Sequence, residues 1–127
     1  YILNKTAYDI QQEVYTILNE NEIEHIQQYA QKLLSYRYVD DLNELHVGKF
    51  IRWIRRGDKK LTNGNILVNV DFTKKGTQLL MKSPTNRFIR IHWDDCIVFQ
   101  ILTPDEQLLL TTNQYIQRGE SEEHEEG

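Results

Sequence analysis

The feature that most limits what this chain can become is a change of residue spacing at Gly48. Before it, apolar residues recur three and four apart. After it they fall in short runs rich in isoleucine, valine and aromatic residues, separated by turn signals. Helices in front of a compact β-unit predict an α+β fold.

In the helical front, Thr6 and Asp9 form a relative of the capping box, and Ala7, Ile10, Val14, Ile17 and Leu18 follow on one face, predicting a helix over 7–18. Asn19-Glu20-Asn21 interrupts it. Asn21 and Glu24 are suited to cap a new start, and Ile23, Ile26, Ala30, Leu33 and Leu34 mark a second helix over 22–35, antiparallel to the first. Two single stripes are marginal alone, so both helices are expected to dock on the β-unit.

Within 48–101, Phe50 to Ile54 reads as a strand from its β-branched and aromatic content. Ile66, Val68, Val70 and Phe72 alternate with Leu67, Asn69 and Asp71 after an Asn63-Gly64 turn, so the Ile66 face is expected to be core, together with Ile97 and Phe99. Lys74-Lys75-Gly76 predicts a hairpin into 77–82, Ser83 to Asn86 a turn into 87–93, and Asp94-Asp95 a break before 96–101. Five short strands in this span predict a small antiparallel barrel, SH3-like or similar, or a strongly curled sheet.

Thr103-Pro104-Asp105-Glu106 combines an N-cap, a proline at the first helical position and a glutamate at the third. A last helix is therefore expected over 104–116, with Leu108, Leu109, Tyr115 and Ile116 as its apolar face and Gly119 as its stop. Residues 120–127 hold five glutamates and no apolar side chain, and are expected to form a disordered acidic tail. The 127 residues match a single domain over 1–119, with 1–47 as helical front, 48–101 as β-unit and 102–119 as C-terminal helix.

No apolar run approaches the roughly 18 residues that cross a bilayer, and no signal segment opens the chain. Because it begins at Tyr1, it is expected to be processed or to be part of something longer. The single cysteine, Cys96, excludes an internal disulfide and fits a reducing intracellular compartment.

Candidate chemistry is sparse. Tyr38-Val39-Asp40-Asp41 matches the short motif by which reverse transcriptases hold two metal ions, but a palm needs a further carboxylate on a neighbouring strand, where this chain has helices, so the match reads as chance in a polar linker. His92, Asp94, Asp95 and Cys96 cluster in five residues, yet Cys96 opens an apolar run and reads as a buried, inert thiol. His25, His46 and His124 have no metal-ligand spacing, and no glycine loop suits a phosphate. The expectation is a non-enzymatic chain without catalytic residues, metal or cofactor.

Charge carries the stronger signal. Residues 1–47 have net charge −5, residues 48–101 have eleven basic against four acidic side chains, and 102–127 return to −6. The candidate basic interaction surface is Lys49, Arg52, Arg55, Arg56, Lys59, Lys60, Lys74, Lys75, Arg87 and Arg90, with Lys82 among them and Trp53, Phe88 and Trp93 interleaved. Such a surface meets either phosphates or acidic protein, and the overall pI near 5.5 favours protein.

The run Val47-Gly48-Lys49-Phe50-Ile51-Arg52-Trp53-Ile54, then Asn63-Gly64-Asn65-Ile66-Leu67-Val68, then Ile97-Val98-Phe99, resembles a pattern in poorly characterised small-barrel proteins of nucleocytoplasmic large DNA viruses. The resemblance implies a virion or assembly component, such as a minor capsid protein, and brings no catalytic residues. The reading from sequence is a structural or interaction module with protein partners or self-association. The alternative is a nucleic-acid-binding small barrel using the basic 49–90 surface.

Overall fold

The computed structural model describes the backbone of residues 2–126 and the side chains of residues 2–119. The first helix, α1, spans Ala7–Glu20 and opens on a reciprocal capping box, in which the Asp9 amide donates to Thr6 Oγ1 and the Thr6 amide to Asp9 Oδ2. Asn21 belongs to the end of this helix: its backbone amide and its Nδ2 both donate to the Ile17 carbonyl. Glu22 and His25 then take positive φ values of 55° and 59°, and Ile23 is buried in the bend between them. The second helix, α2, is therefore shorter than the spacing predicts, running Ile26–Lys32, because Asn21 is committed to α1 and cannot cap a new start.

Six antiparallel strands follow: β1 Tyr36–Val39, β2 Phe50–Arg55, β3 Asn65–Thr73, β4 Gly76–Lys82, β5 Phe88–His92 and β6 Cys96–Ile101, in sheet order β1-β6-β2-β3-β4-β5. The expected closed five-stranded barrel is corrected in two ways. There is a sixth strand, and the sheet is open, with β1 and β5 as its edges. The added strand is Tyr36-Arg37-Tyr38-Val39, which the sequence suggests is a linker; it pairs with β6, from Tyr36 opposite Ile101 to Val39 opposite Val98.

The two sheet faces are buried differently. On one, Tyr36, Ile54, Ile97 and Phe99 pack against Val14, Leu18, Ile23, Ala30 and Leu33 of the helices, so the helices dock on the β-unit as expected. On the other, Val39, Ile51, Trp53, Leu67, Leu79, Met81, Ile91, Cys96 and Val98 form one cluster drawn from all six strands, with Leu42, Leu45 and Trp93 at its margin. Among the described residues no α-helix contributes to that cluster, yet Ile51, Leu67, Leu79 and Met81 are fully buried. The sheet must curl over itself to exclude water there, and each such side chain stabilises the fold by about 1.5–3 kcal/mol.

Strand β3 corrects the expected core face. Leu67 is fully buried, Val68 and Val70 are half-buried, and Ile66 and Phe72 are 44% and 77% exposed. The register shifts between Leu67 and Asn69, so the strand carries a bulge at Val68. One extra residue exchanges the faces of the residues beyond it, which a strict period of two cannot anticipate. The Asn63-Gly64 signal holds in substance: Gly64 has φ +90°, and a Cβ there would lie 2.6 Å from the Ile51 carbonyl oxygen.

The last helix, α3, runs Pro104–Glu126. Its start is the expected one, with reciprocal Thr103–Glu106 bonds of 3.0 Å. Its end is not, because Gly119 lies inside the helix rather than stopping it. Gly119 is not among the glycines with positive φ, and a helix-interior glycine costs only about 1 kcal/mol relative to alanine. The expectation of disorder from Glu120 falls on side chains outside the described residues, and on Gly127, which lies wholly outside them. A third cluster, Ile2, Ile10, Leu102 and Leu110, fastens α3 to the N-terminal segment and α1. Asn113 Nδ2 adds bonds to the carbonyls of Ile2, Leu3 and Lys5.

Candidate interaction surfaces

The ten basic residues named from sequence meet different surroundings. Arg52 is half-buried, donates from Nε to the Thr62 carbonyl at 2.9 Å and lies 5.9 Å over the Tyr36 ring. Burial raises the Tyr36 phenol above its ordinary pKa, and the Arg52 charge partly offsets that. Arg56 donates to Asn21 Oδ1 at 2.5 Å, Lys59 reaches Glu22 at 3.9 Å, and Arg90 pairs with Asp71 at 2.9 Å. Lys49 is half-buried before β2, while Arg55, Lys60, Lys74, Lys75 and Arg87 are exposed.

The short 3-10 turn Trp93–Asp95 lies beside two of the segments that carry these cations. The Arg56 amide donates to the Asp95 carbonyl at 2.9 Å, and Asp94 Oδ2 lies 3.8 Å from where a Cβ on Gly76 would stand. The turn thus stands next to Gly76, which follows the Lys74-Lys75 hairpin, and next to Arg56, which follows β2. Asp58, Asp94 and Asp95 belong to the same rim, which makes it mixed in sign. Arg87 sits at the β4–β5 turn and Arg90 on the outer face of β5.

The His92 to Cys96 cluster is divided by the sheet. His92 is exposed at the end of β5, while Cys96 is buried in the cluster on the concave face. Burial pushes the Cys96 thiol up from 9.0 to about 11, with the Arg55 charge opposing. A raised folded-state pKa favours the neutral thiol, so this contribution to stability is complete below pH 9.0 and is lost as pH rises through about 11. At pH 8 the native chain should react with iodoacetamide at least about tenfold more slowly than the denatured chain, read by mass spectrometry, since the thiolate is the nucleophile. Equal rates would refute the burial.

Tyr38-Val39-Asp40-Asp41 also separates. Tyr38 and Val39 belong to β1, Asp40 is exposed, and Asp41 accepts from the Asn43 amide to cap the 3-10 turn Leu42–Glu44. Among the described residues, no three His, Cys, Asp or Glu side chains stand together as metal ligands. No described helix is long and apolar enough to cross a membrane.

Among the described residues, large apolar side chains are exposed on the outer sheet face and on α3. The helices cover only the β1-β6-β2 part of their sheet face. On the β3-β4-β5 part, Ile66, Lys82 and Phe88 form one cross-strand row and Asn69, Leu80 and Arg90 the next. Phe88 there is 60% exposed, with the Lys82 ammonium 5.9 Å over its ring.

The second open surface is on α3. Sequence spacing assigns Leu108, Leu109, Tyr115 and Ile116 to one docking face, but Leu109, Leu110 and Asn113 turn inward, whereas Leu108, Tyr115 and Ile116 are 66%, 69% and 54% exposed. At 100° per residue these outward residues form a stripe on the far side of the helix from Leu110 and Asn113. Thr111 and Thr112 fall beside that stripe. Their hydroxyls donate to the Gln107 and Leu108 carbonyls at 3.1 and 2.9 Å, so neither would bring an unpaired donor into an interface. The signal in the sequence was Gln107 to Gln117, eleven residues without a charge and the longest such run in a chain that is 27% charged.

Comparison with protein-family models, with curated proteins and with solved structures finds no match for this chain.

Proposed function

We propose that this chain is a non-enzymatic protein-interaction module that docks through the outward side of α3. The observation that carries the reading is the exposed, charge-free stripe of Leu108, Tyr115 and Ile116 on a helix whose opposite side already holds it to the fold. Loss of charge with retained aromatic and aliphatic side chains is the composition of an interface core. An isolated exposed leucine would mean little, but three on one helix face form a patch. A role in assembly also accords with the resemblance of the 47–99 run to proteins of large DNA viruses. The mixed signs of the rim around Trp93–Asp95, and the engagement of Arg52, Arg56, Lys59 and Arg90 within the fold, favour protein over nucleic acid as partner.

The test replaces Thr112 by a photo-crosslinking residue in cells that naturally make the protein, with and without the changes Leu108→Glu, Tyr115→Glu and Ile116→Glu. Protein adducts are expected at position 112, lost in the triple variant while its thermal midpoint stays within about 3 °C, because exposed substitutions seldom change stability much. Absence of protein adducts would sink the reading. So would tight oligonucleotide binding at physiological salt that survives the triple variant.

A further inference from the structure

If α3 is the docking face, the same helix also indicates its partner. Between α1 and α2 lies a groove of about 340 Å³. Its floor is Val14, Ala30 and Leu33, Tyr15 lines its side, Leu34 stands 52% exposed at its mouth, and its remaining lining is glutamine. None of the lining residues carries a charge. We infer that the α3 stripe of one copy seats in the α1–α2 groove of the next, joining copies of this chain head to tail.

Three observations converge on a second copy as the occupant. The stripe from Leu108 to Ile116 and the groove along Gln27 to Leu34 are each roughly 10–12 Å long at 1.5 Å per residue. Both surfaces are uncharged, and both are edged by glutamines, Gln107 and Gln114 on the helix and Gln27 and Gln31 on the groove, whose amides can pair as donor and acceptor. A charged partner would leave its charges unpaired in either surface. The copy's own α3 does not fill the groove, because it is fastened at Ile10, Ile2 and Leu102, and its side chains from Gln114 to Gly119 are all exposed.

Helix-in-groove docking places apolar anchors at whole turns along one helix face, and Leu108 and Tyr115 stand seven residues, two turns, apart with Ile116 beside Tyr115. Joined head to tail, with one stripe in one groove at each contact, the interface is heterologous: each end copy keeps one unused stripe or one unused groove, and association continues past a dimer. A single helix in a groove lies at the small end of specific interfaces, so the assembly depends steeply on concentration.

The experiment uses sedimentation velocity on the full chain, on a stripe variant, Tyr115→Glu with Ile116→Glu, and on a groove variant, Leu34→Glu, each first shown to melt like wild type. Wild type is expected to grow past dimer as concentration rises over about two decades, while either variant alone stays monomeric. Mixed one to one, the variants should form dimers and nothing larger, since only one intact stripe and one intact groove remain to meet. A wild type that stops at dimer, with a mixture that stays monomeric, would show a two-fold contact and overturn the inference. A wild type that is monomeric throughout overturns it too. In that case adducts at position 112 with another protein would leave the docking face intact, and no adducts would remove both.

Discussion

Leu67→Asp is expected to unfold this protein, whereas Ile66→Asp, one residue earlier in β3, should leave it folded. Leu67 is fully buried on the concave face with Leu79, Met81 and Trp53 around it, so an aspartate there has neither water nor a cation. Burying a charge without a partner costs at least about 3–5 kcal/mol, a large part of the 5–15 kcal/mol that stabilises an ordinary domain. Ile66 is 44% exposed on the opposite face and lies directly across from Lys82, so its aspartate remains hydrated beside a cation and costs at most about 1 kcal/mol. Val68→Asp, for which a strict alternation predicts unfolding, falls between the two because Val68 is half-buried at the bulge. Thermal melts followed by circular dichroism decide the matter. A wild-type melt for Leu67→Asp, or a collapsed one for Ile66→Asp, would show that β3 pairs in a different register.

The second large effect is expected at Arg37. This side chain is 3% exposed, yet it sits on an edge strand, where it pairs with Glu44 at 3.2 Å and Glu106 at 3.4 Å and donates to the Glu44 carbonyl at 3.0 Å. Gln100, also buried, donates to the same carbonyl at 3.1 Å and accepts from the His46 amide at 2.8 Å. One guanidinium thus holds β1, the 42–46 segment and the first turn of α3 together. Arg37→Ala should cost about 3–5 kcal/mol in urea unfolding, because it leaves two partly buried carboxylates facing a vacated site. Arg37→Lys should recover less than half of that, since an ammonium concentrates its donors on one nitrogen, whereas the guanidinium faces the three acceptors with three separate nitrogens. Faster hydrogen exchange at Leu109 to Asn113 in the alanine variant would show that α3 loosens with it. A loss under about 1 kcal/mol would mean that the pairs merely decorate the surface.

The helix starts at Thr6 and Thr103 were legible because a capping box is closed within four residues, and the hairpin at Lys74-Lys75 because a two-residue turn with a glycine is equally local. Helix α2 was overextended because Asn21 is an equally good group for ending one helix and for starting another. Its use is settled by Ile23, which is buried in the bend just after it. Strand β1 was missed since four residues including an arginine have no period to read; only pairing with β6, some sixty positions away, makes them a strand. Spacing assigns Leu108, Tyr115 and Ile116 to the interior, whereas they face outward, because Leu108 to Ile116 has apolar residues on two sides and sequence cannot say which side meets the fold.

By itself, the sequence determined the α+β order, the N-termini of α1 and α3, the hairpin turn at Lys74-Lys75 and the burial of Ile97, Phe99 and Cys96, all of which depend on interactions within a few residues or on runs too apolar to remain in water. The tertiary structure alone decided the rest: that the sheet stays open with six strands, that a bulge turns Leu67 inward and Ile66 outward, that four of the basic side chains are engaged at home, and that α3 keeps an unpartnered face. Each of these depends on which distant surfaces meet. That choice is made by the summed burial of the whole chain, of which any short stretch of sequence carries only its own part.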